Sequence, residues 1–428
     1  MNINVTRLNT SSPFPGQRQP TSMREKTKNF FSRTQISEGD ALANEKKASP
    51  VVGRSRFTWS SLWRPSVVVG LLYILFFALV TVTFHYHLTH YVHIGTYFSA
   101  GIQGAAQPGR LNGAGGYDGQ FYYFIARDPF HAASLMDNAP YRYQRIVYPL
   151  LALLLSFNQS VLLTPVLLLI NFVSIVLSVE IIAQLLTRHQ LSPWYSLAIG
   201  LYFGQMTALL FDTTEPLTYL LLCVGLLLID KKHMTWAAIW MGLAVLSRET
   251  AALFPIGFMV YYLFHKRWLE VLRFGLISLL PTAIWYALIV VIFGKTGLTY
   301  APTFQLIPFK GLFIFSSDLP RFIPLLILMF IPVIVGWLLF ASATYRRQWG
   351  GASWFIWFIN LALVTCMAPG SYKELVSAGR LSMGIVLAIL FYGWQSKNKW
   401  VLWGAQIYAL TGFIYALGIL NILGHYPS

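Results

Sequence analysis

Apolar runs about twenty residues long recur along most of this chain, and they decide what it can fold into. Residues 65–84, PSVVVGLLYILFFALVTVTF, contain no charged side chain. At 1.5 Å rise per residue, such a segment reaches across ~30 Å of hydrocarbon. In lipid every backbone N–H and C=O must be paired within the protein, so repeated runs of this kind fold as packed helices. A β-barrel would need strands of ~10 alternating residues, a pattern the sequence lacks. Only 11% of the 428 residues are charged, against roughly 25% in soluble domains. The expected fold is all-α, a polytopic transmembrane helical bundle.

Eleven spans are expected, near 65–84, 161–187, 195–211, 216–230, 234–248, 250–264, 269–293, 323–342, 353–368, 381–396 and 400–422. Several are short for a full crossing, as in helices bent or broken around a polar cavity. Residues 146–157, IVYPLLALLLSF, are too few to cross and read as an interfacial or re-entrant helix. The first 64 residues differ in kind. They are polar, hold 11 Lys/Arg against 4 Asp/Glu, and lack the periodicity of a packed element, so a disordered basic tail is expected. The chain thus divides into a tail (1–64) and a membrane domain (65–428), with 85–160 as the first outer loop. The tail is too long and polar for a cleaved signal peptide, which makes 65–84 a retained anchor. Arg54, Arg56 and Arg64, with Trp59 and Trp63, suit a cytoplasmic membrane surface. With that end inside, the short basic connections at 187–190, 230–233, 265–268, 345–349 and 396–399 are cytoplasmic. Cys223 and Cys366 both lie in apolar runs and read as packed side chains.

The few charges of the membrane domain then fall on one side. Asp118, Arg127, Asp128, Arg142, Arg145, Asp212, Glu215, Arg248, Glu249, Lys373 and Arg380 all belong to outer connections under this topology. Ionisable groups near a bilayer are costly, so a one-sided collection is a site hypothesis. Asp118 follows a glycine-rich turn in GAGGYDGQFYYFIARDPF, residues 113–130, where a helix start would let it serve as a cap. Tyr117, Phe121 and Phe124 share one face, as in a helix lying at the membrane interface. Asp212 precedes Pro216 and would cap the next helix, leaving Glu215 without a local role. Arg248 and Glu249 interrupt the apolar stretch GLAVLSRETAALF, and an ionisable pair at such depth lines a cavity. The histidines of HYHLTHYVH, residues 85–93, have no carboxylate nearby and read as an interfacial helix end. Arginine and lysine against an apolar wall suit a lipid-borne phosphate, and a carboxylate among them suits a base for an incoming hydroxyl. No Walker-type glycine loop supports a soluble nucleotide donor.

Taken in order, YDGQFYYFIARDPF, YRYQRIVYPL, LSPW, DTTEPLTYLL and LSRETAALF resemble a family of bacterial integral-membrane proteins grouped with the GT-C glycosyltransferases. The likeness covers about residues 115–255, and the last third resembles the superfamily in hydropathy alone. The eukaryotic PIG-V-type mannosyltransferases carry a comparable Asp-Gly motif. The resemblance implies a GT-C fold in a bacterial plasma membrane, with a large first extracytoplasmic loop bearing interfacial helices. It also implies a polyprenyl-phosphate sugar donor and an acidic residue of that loop, here Asp118, at the active site. Glu215 and Glu249 are further catalytic candidates. Tyr117, Gln120, Arg127, Arg142, Arg145, Asp212, Arg248, Tyr372, Lys373 and Arg380 are candidate substrate contacts, with Arg142, Arg145, Arg248 and Arg380 assigned to phosphate on chemical grounds. Many relatives pair two acids in the first loop. Asp118 stands alone, with Asp128 ten residues on, so a divalent cation is left open and no other cofactor is expected.

The leading expectation is therefore a hexosyltransferase that moves a sugar, with inversion, from a lipid-linked donor to an extracytoplasmic glycan, lipid or protein. Membrane lipids are the other expected partners, and nucleic acid is not one. A transporter or flippase of a charged lipid or solute would use the same buried charges as a pathway. A non-catalytic envelope scaffold would account for the apolar bulk but not for the one-sided charges.

Overall fold

The computed structural model describes residues 64–84, 87–95, 98, 115–300 and 304–424. The basic tail with Arg54, Arg56, Trp59 and Trp63, as well as His85 and Gly113, lies outside the described residues. Among the described residues all regular structure is helical. The principal helices are α1 (Pro65–Phe84), α2 (Gly119–Arg127), α3 (Val147–Leu155), α4 (Ser160–Arg188), α5 (Phe203–Leu210), α6 (Glu215–Asp230) and α7 (Met234–Ser247). They continue with α8 (Glu249–Phe264), α9 (Trp268–Phe293), α10 (Leu319–Tyr345), α11 (Ala352–Thr365), α12 (Leu375–Gln395) and α13 (Lys399–Ile419). Six of them, α1, α4, α9, α10, α12 and α13, are long and apolar enough to cross a membrane.

Burial separates centre from periphery. In α12 every residue from Ser382 to Trp394 is buried, so this helix is surrounded by protein. It packs against α5 and α11, while α11 also meets α8. By contrast α9 leaves Leu269, Leu272, Leu276, Leu280, Ile284 and Leu288 exposed. An apolar helix with an apolar outer face has lipid as its fitting neighbour. The short α3 cannot cross at nine residues. It exposes Leu150, Leu154 and Leu155, in keeping with a helix held at the membrane surface. The expectation for α2 needs correction. Its residues Phe121 and Phe124 are buried against Ile146 of the following segment and Ile289 of α9. The aromatic face is satisfied by protein and is not the face offered to lipid.

The helices stop where charged residues sit. The chain between α5 and α6 turns at Asp212, which has φ 49°. Between α7 and α8, Arg248 is a single extended residue (φ −159°, ψ 129°). These breaks bring the connections at 115–146, 211–215, 247–250 and 369–380 to one end of the bundle, where Asp118, Glu215, Arg248, Glu249 and Arg380 interact. The other end gathers the short basic connections. There His189 meets Asp230 at 2.8 Å and Asn398 donates to Gln348 at 3.0 Å.

The approach of α5 to α12 depends on two glycines. A Cβ on Gly204 would collide with the carbonyl oxygen of Gly379, and one on Gly379 with the ring of Phe203. The backbones touch because neither residue has a side chain. Gly204→Ala is expected to push α12 away and lower stability by about 1–3 kcal/mol, the usual range for overpacking. Arg380 adjoins Gly379, so its contacts with Asp118 and Glu215 should shift with it. A melting temperature equal to wild type in detergent would show that the interface yields without strain.

Candidate functional site

Four arginines and four carboxylates meet at the charged end. Asp118 lies at the point where α2 begins, but its side chain does not cap the helix. Instead Oδ1 accepts from Arg142 Nη1 at 2.7 Å and Oδ2 from Arg380 Nη1 at 2.9 Å. Arg142 also donates through Nε and Nη2 to both oxygens of Asp137, at 2.8 and 2.7 Å. Arg145 forms a two-point pair with Glu249, at 2.9 and 2.6 Å, and donates to the hydroxyls of Tyr122 and Tyr141. Glu215 Oε1 is shared by Arg248 and by Nε of Arg380. Rings cover several of the cations. Arg142 lies 4.2 Å from the Phe121 centroid, Arg145 4.9 Å from that of Tyr141, and Arg380 5.4 Å from that of Tyr117. Each contact of this kind adds cation–π attraction in a desolvated setting.

Local sequence explains why these groups converge. Asn138 caps the short turn Ala139–Arg142 by accepting from the Tyr141 N–H. That turn places Arg142 and Arg145, three residues apart, towards Asp118 and Glu249 respectively. Glu215 occupies the first turn of α6, one residue before Pro216. Arg380 sits in the second turn of α12, which brings it in from the opposite side of the bundle.

Accessibility divides the network into layers. The side chains of Asp118 and Glu249 are 25% and 31% exposed, whereas Arg380 is 2% and Glu215 0%. Asp118 and Glu249 thus form the reachable surface, with Glu215 and the arginines behind them. Burial alone would raise the Asp118 pKa. Its neighbours Arg142 and Arg380 outweigh that and hold the carboxyl well below the usual carboxylate range, as opposite charges within a few ångströms do.

Beside this surface lies a cavity of about 280 Å³. Its lining combines Asp118, Arg145, Arg248, Glu249, Thr250 and Arg380 with the apolar Phe304, Leu363, Met367 and Leu381. Three donors of its lining residues, Arg248 Nε, Arg380 Nη2 and Thr250 Oγ1, have no acceptor among the described residues. Buried donors without partners are uncommon enough to need a reason, and a missing ligand or water is a frequent one.

Five residues expected from sequence therefore share one cavity: Asp118, Arg145, Arg248, Glu249 and Arg380. Arg142 and Tyr117 stand behind Asp118 and Arg380 rather than in the lining. The other candidates have different surroundings. Glu215 is fully enclosed, so it anchors two arginines and does not face the cavity. Asp212 neither caps α6 nor lines the cavity; its Oδ1 lies 2.6 Å from the Tyr148 hydroxyl and 3.1 Å from Asn171 Nδ2. Gln120 ties the loop together, accepting from the Gly95 N–H and donating to the Gly115 carbonyl, both at 3.0 Å. Tyr372 donates to the Val364 carbonyl at 2.6 Å and serves packing. Arg127 and Lys373 are exposed and do not line the cavity. Asp128 binds the turn that follows it, through the backbone N–H groups of Phe130 and His131.

Sequence reasoning missed Asp137, Tyr122 and Tyr141. An acid five residues ahead of Arg142 was the available signal for the first. The apolar lining left no signal, because Phe304, Leu363, Met367 and Leu381 resemble any other membrane residues. Among the described residues no three His, Cys, Asp or Glu side chains gather as metal ligands. Both Asp118 oxygens already face guanidinium groups, an arrangement ill suited to a divalent cation at that carboxylate. No protein-family model, curated protein or solved structure matches this chain.

Proposed function

We propose that this protein is a membrane glycosyltransferase of GT-C type, its eleven apolar segments crossing the bilayer and its charged end facing away from the cytoplasm. It would move a sugar from a polyprenyl-phosphate donor to an acceptor hydroxyl. One observation supports the reading: a single cavity is lined both by carboxylates and arginines and by apolar side chains. A lipid-linked sugar phosphate has the matching halves. Hydroxyl groups meet the reachable oxygens of Asp118 and Glu249. The phosphate meets the free donors of Arg248 and Arg380, guanidinium being the side chain best matched to phosphate oxygens. The first prenyl units meet Phe304, Leu363, Met367 and Leu381.

In the reaction the acceptor oxygen attacks the anomeric carbon from the face opposite the phosphate. The bond from that carbon to the phosphate oxygen breaks, and lipid phosphate leaves with the electron pair. The acceptor proton passes to a carboxylate, for which Asp118 is placed. A carboxylate held by two arginines is a weak base. Phosphate arriving beside Arg380 competes for that guanidinium, and Asp118 gains basicity as the contact loosens. The four arginines and four carboxylates sum to zero charge and are already paired, so the donor phosphate would enter by loosening one of these pairs.

The test uses protein reconstituted in lipid, labelled polyprenyl-phosphate sugars and an acceptor extract. Label should move to an acceptor. Polyprenyl phosphate should raise the melting temperature, by the equivalent of about 2.7 kcal/mol at a hundredfold excess over Kd, while the uncharged polyprenol should not. If no label moves with any donor but labelled lipid crosses the bilayer, transport replaces transfer.

A further inference from the structure

A second buried acid near the site is handled in the opposite way. Asp212 is fully buried in the connection between α5 and α6, and the site's ion pairs go to Asp118, Asp137, Glu215 and Glu249 instead. Its Oδ1 lies 2.6 Å from the Tyr148 hydroxyl and 3.1 Å from Asn171 Nδ2. Its Oδ2 has no hydrogen-bond partner among the described residues. An ionised carboxylate in this setting would be a desolvated charge with neutral neighbours only, one of the least favourable arrangements in a protein interior.

Hydrogen counting leads to the same place. The Tyr148 oxygen is 2.6 Å from Asp212 Oδ1 and 3.1 Å from the Leu167 carbonyl oxygen, and it accepts from Asn171 Nδ2 at 2.9 Å. Tyrosine has one hydroxyl hydrogen. If Asp212 is ionised, that hydrogen serves either the carboxylate or the carbonyl, and one contact stays empty. If Asp212 is protonated, it donates to Tyr148, Tyr148 donates to Leu167, and every contact holds one hydrogen. We propose that Asp212 is held as the neutral carboxylic acid, a proton-binding joint beneath the charged site.

The joint supports both halves of that site. A Cβ on Gly119 would collide with the Phe211 carbonyl and lie 3.0 Å from that of Asp212, so the turn carrying Asp118 rests on this backbone. Three residues beyond Asp212, Glu215 holds Arg248 and Arg380. Tyr148 and Asn171 face the acid directly, and the Tyr122 ring stands edge-on to Tyr148 at 5.8 Å. His93 stacks on Phe211 at 4.7 Å, and its Nε2 is 3.0 Å from the Leu210 carbonyl. Burial pushes His93 down to about 4, so it brings no positive charge near neutrality. Burial pushes Asp212 up to about 7, against the hydrogen bonds from Tyr148 and Asn171. The sign follows: a folded-state pKa above the unfolded value of ~3.9 makes the fold lose stability as pH rises between the two values, with the loss complete above the higher. Asp212 is thus a positioning residue whose ionisation loosens the site from below.

The experiment is infrared difference spectroscopy on the full chain in lipid, wild type minus Asp212→Asn, beside melting curves. Near neutrality the difference should contain the C=O band of a protonated carboxyl, moving slightly in D₂O. Asp212→Asn should melt with wild type below about pH 4 and increasingly above it as pH rises towards about 8. If that variant does not fold, Tyr148→Phe gives the answer, because the acid band must shift when its acceptor is removed. A carboxylate band in place of the acid band overturns the proposal. So does a melting difference that ignores pH, or one that appears with sodium rather than choline chloride, which would mark a bound cation in place of the proton.

Discussion

Replacing Glu215 with alanine should be the most damaging change to stability at the charged end. Glu215 is the sole carboxylate paired with Arg248 among the described residues, and it shares Arg380 with Asp118. All three side chains are buried. Removing one partner of a buried pair costs about 3–5 kcal/mol because the charge left behind is uncompensated. Whole domains are stable by only about 5–15 kcal/mol, so the variant should give little folded protein in detergent. Adding Arg248→Met to Glu215→Ala should recover part of the loss, since it removes one stranded charge and keeps the packing volume. Size-exclusion profiles and melting curves of the two variants measure this. A Glu215→Ala protein that melts with wild type would mean that water or another group already compensates the arginines.

How far the sequence foretold this site depended on the kind of signal each residue left. Helices formed by long apolar runs were legible because lipid leaves the backbone no other choice. Arg248 and Glu249 were legible as cavity residues because two ionisable side chains in GLAVLSRETAALF have no cheap alternative. Their partners were not legible. The joining of Arg145 to Glu249 and of Arg380 to Asp118 spans 104 and 262 residues, and no local pattern encodes such pairings. Asp212 and Glu215 show the same limit from the other side. They sit three residues apart in DTTEP, yet one is enclosed by neutral hydroxyl and amide groups and the other by two arginines. Spacing suggested that both belonged to one site; burial and partners separate them. The face of α2 was misread for a related reason. An aromatic stripe fits a membrane interface or a protein neighbour equally well, and Ile146 and Ile289 supply the neighbour.

If the chain is the proposed glycosyltransferase, Asp118→Asn should cost sugar transfer far more than it costs the fold, and the pairing pattern says why the two effects part. Each arginine that holds Asp118 has a second carboxylate: Arg142 has Asp137, and Arg380 has Glu215. Losing the Asp118 charge therefore strands neither cation, in contrast to the loss of Glu215. Its side chain is also a quarter exposed, which lets water serve the new amide. At neutral pH melting should fall, though by less than in Glu215→Ala, because the Asp118 ion-pair contribution is lost without stranding a buried charge. The chemical step loses a proton acceptor, an effect of about 10²–10⁴ in rate for general-base catalysis. It also loses the anion that Arg380 trades against the donor phosphate. Glu249→Gln should be milder in rate but harsher in stability, because Glu249 is the carboxylate paired with buried Arg145. The acid dependence follows from the same geometry. With its folded-state pKa held low by arginine, Asp118 contributes stability that is fully present above its unfolded value of ~3.9. That contribution is lost as pH falls through the lower folded value. Acid unfolding of wild type should thus be steepest below about pH 4, and less steep in Asp118→Asn. Transfer at the wild-type rate by that variant, with labelled donor in excess, would remove Asp118 from the chemistry and leave Glu249 as the reachable carboxylate of the cavity.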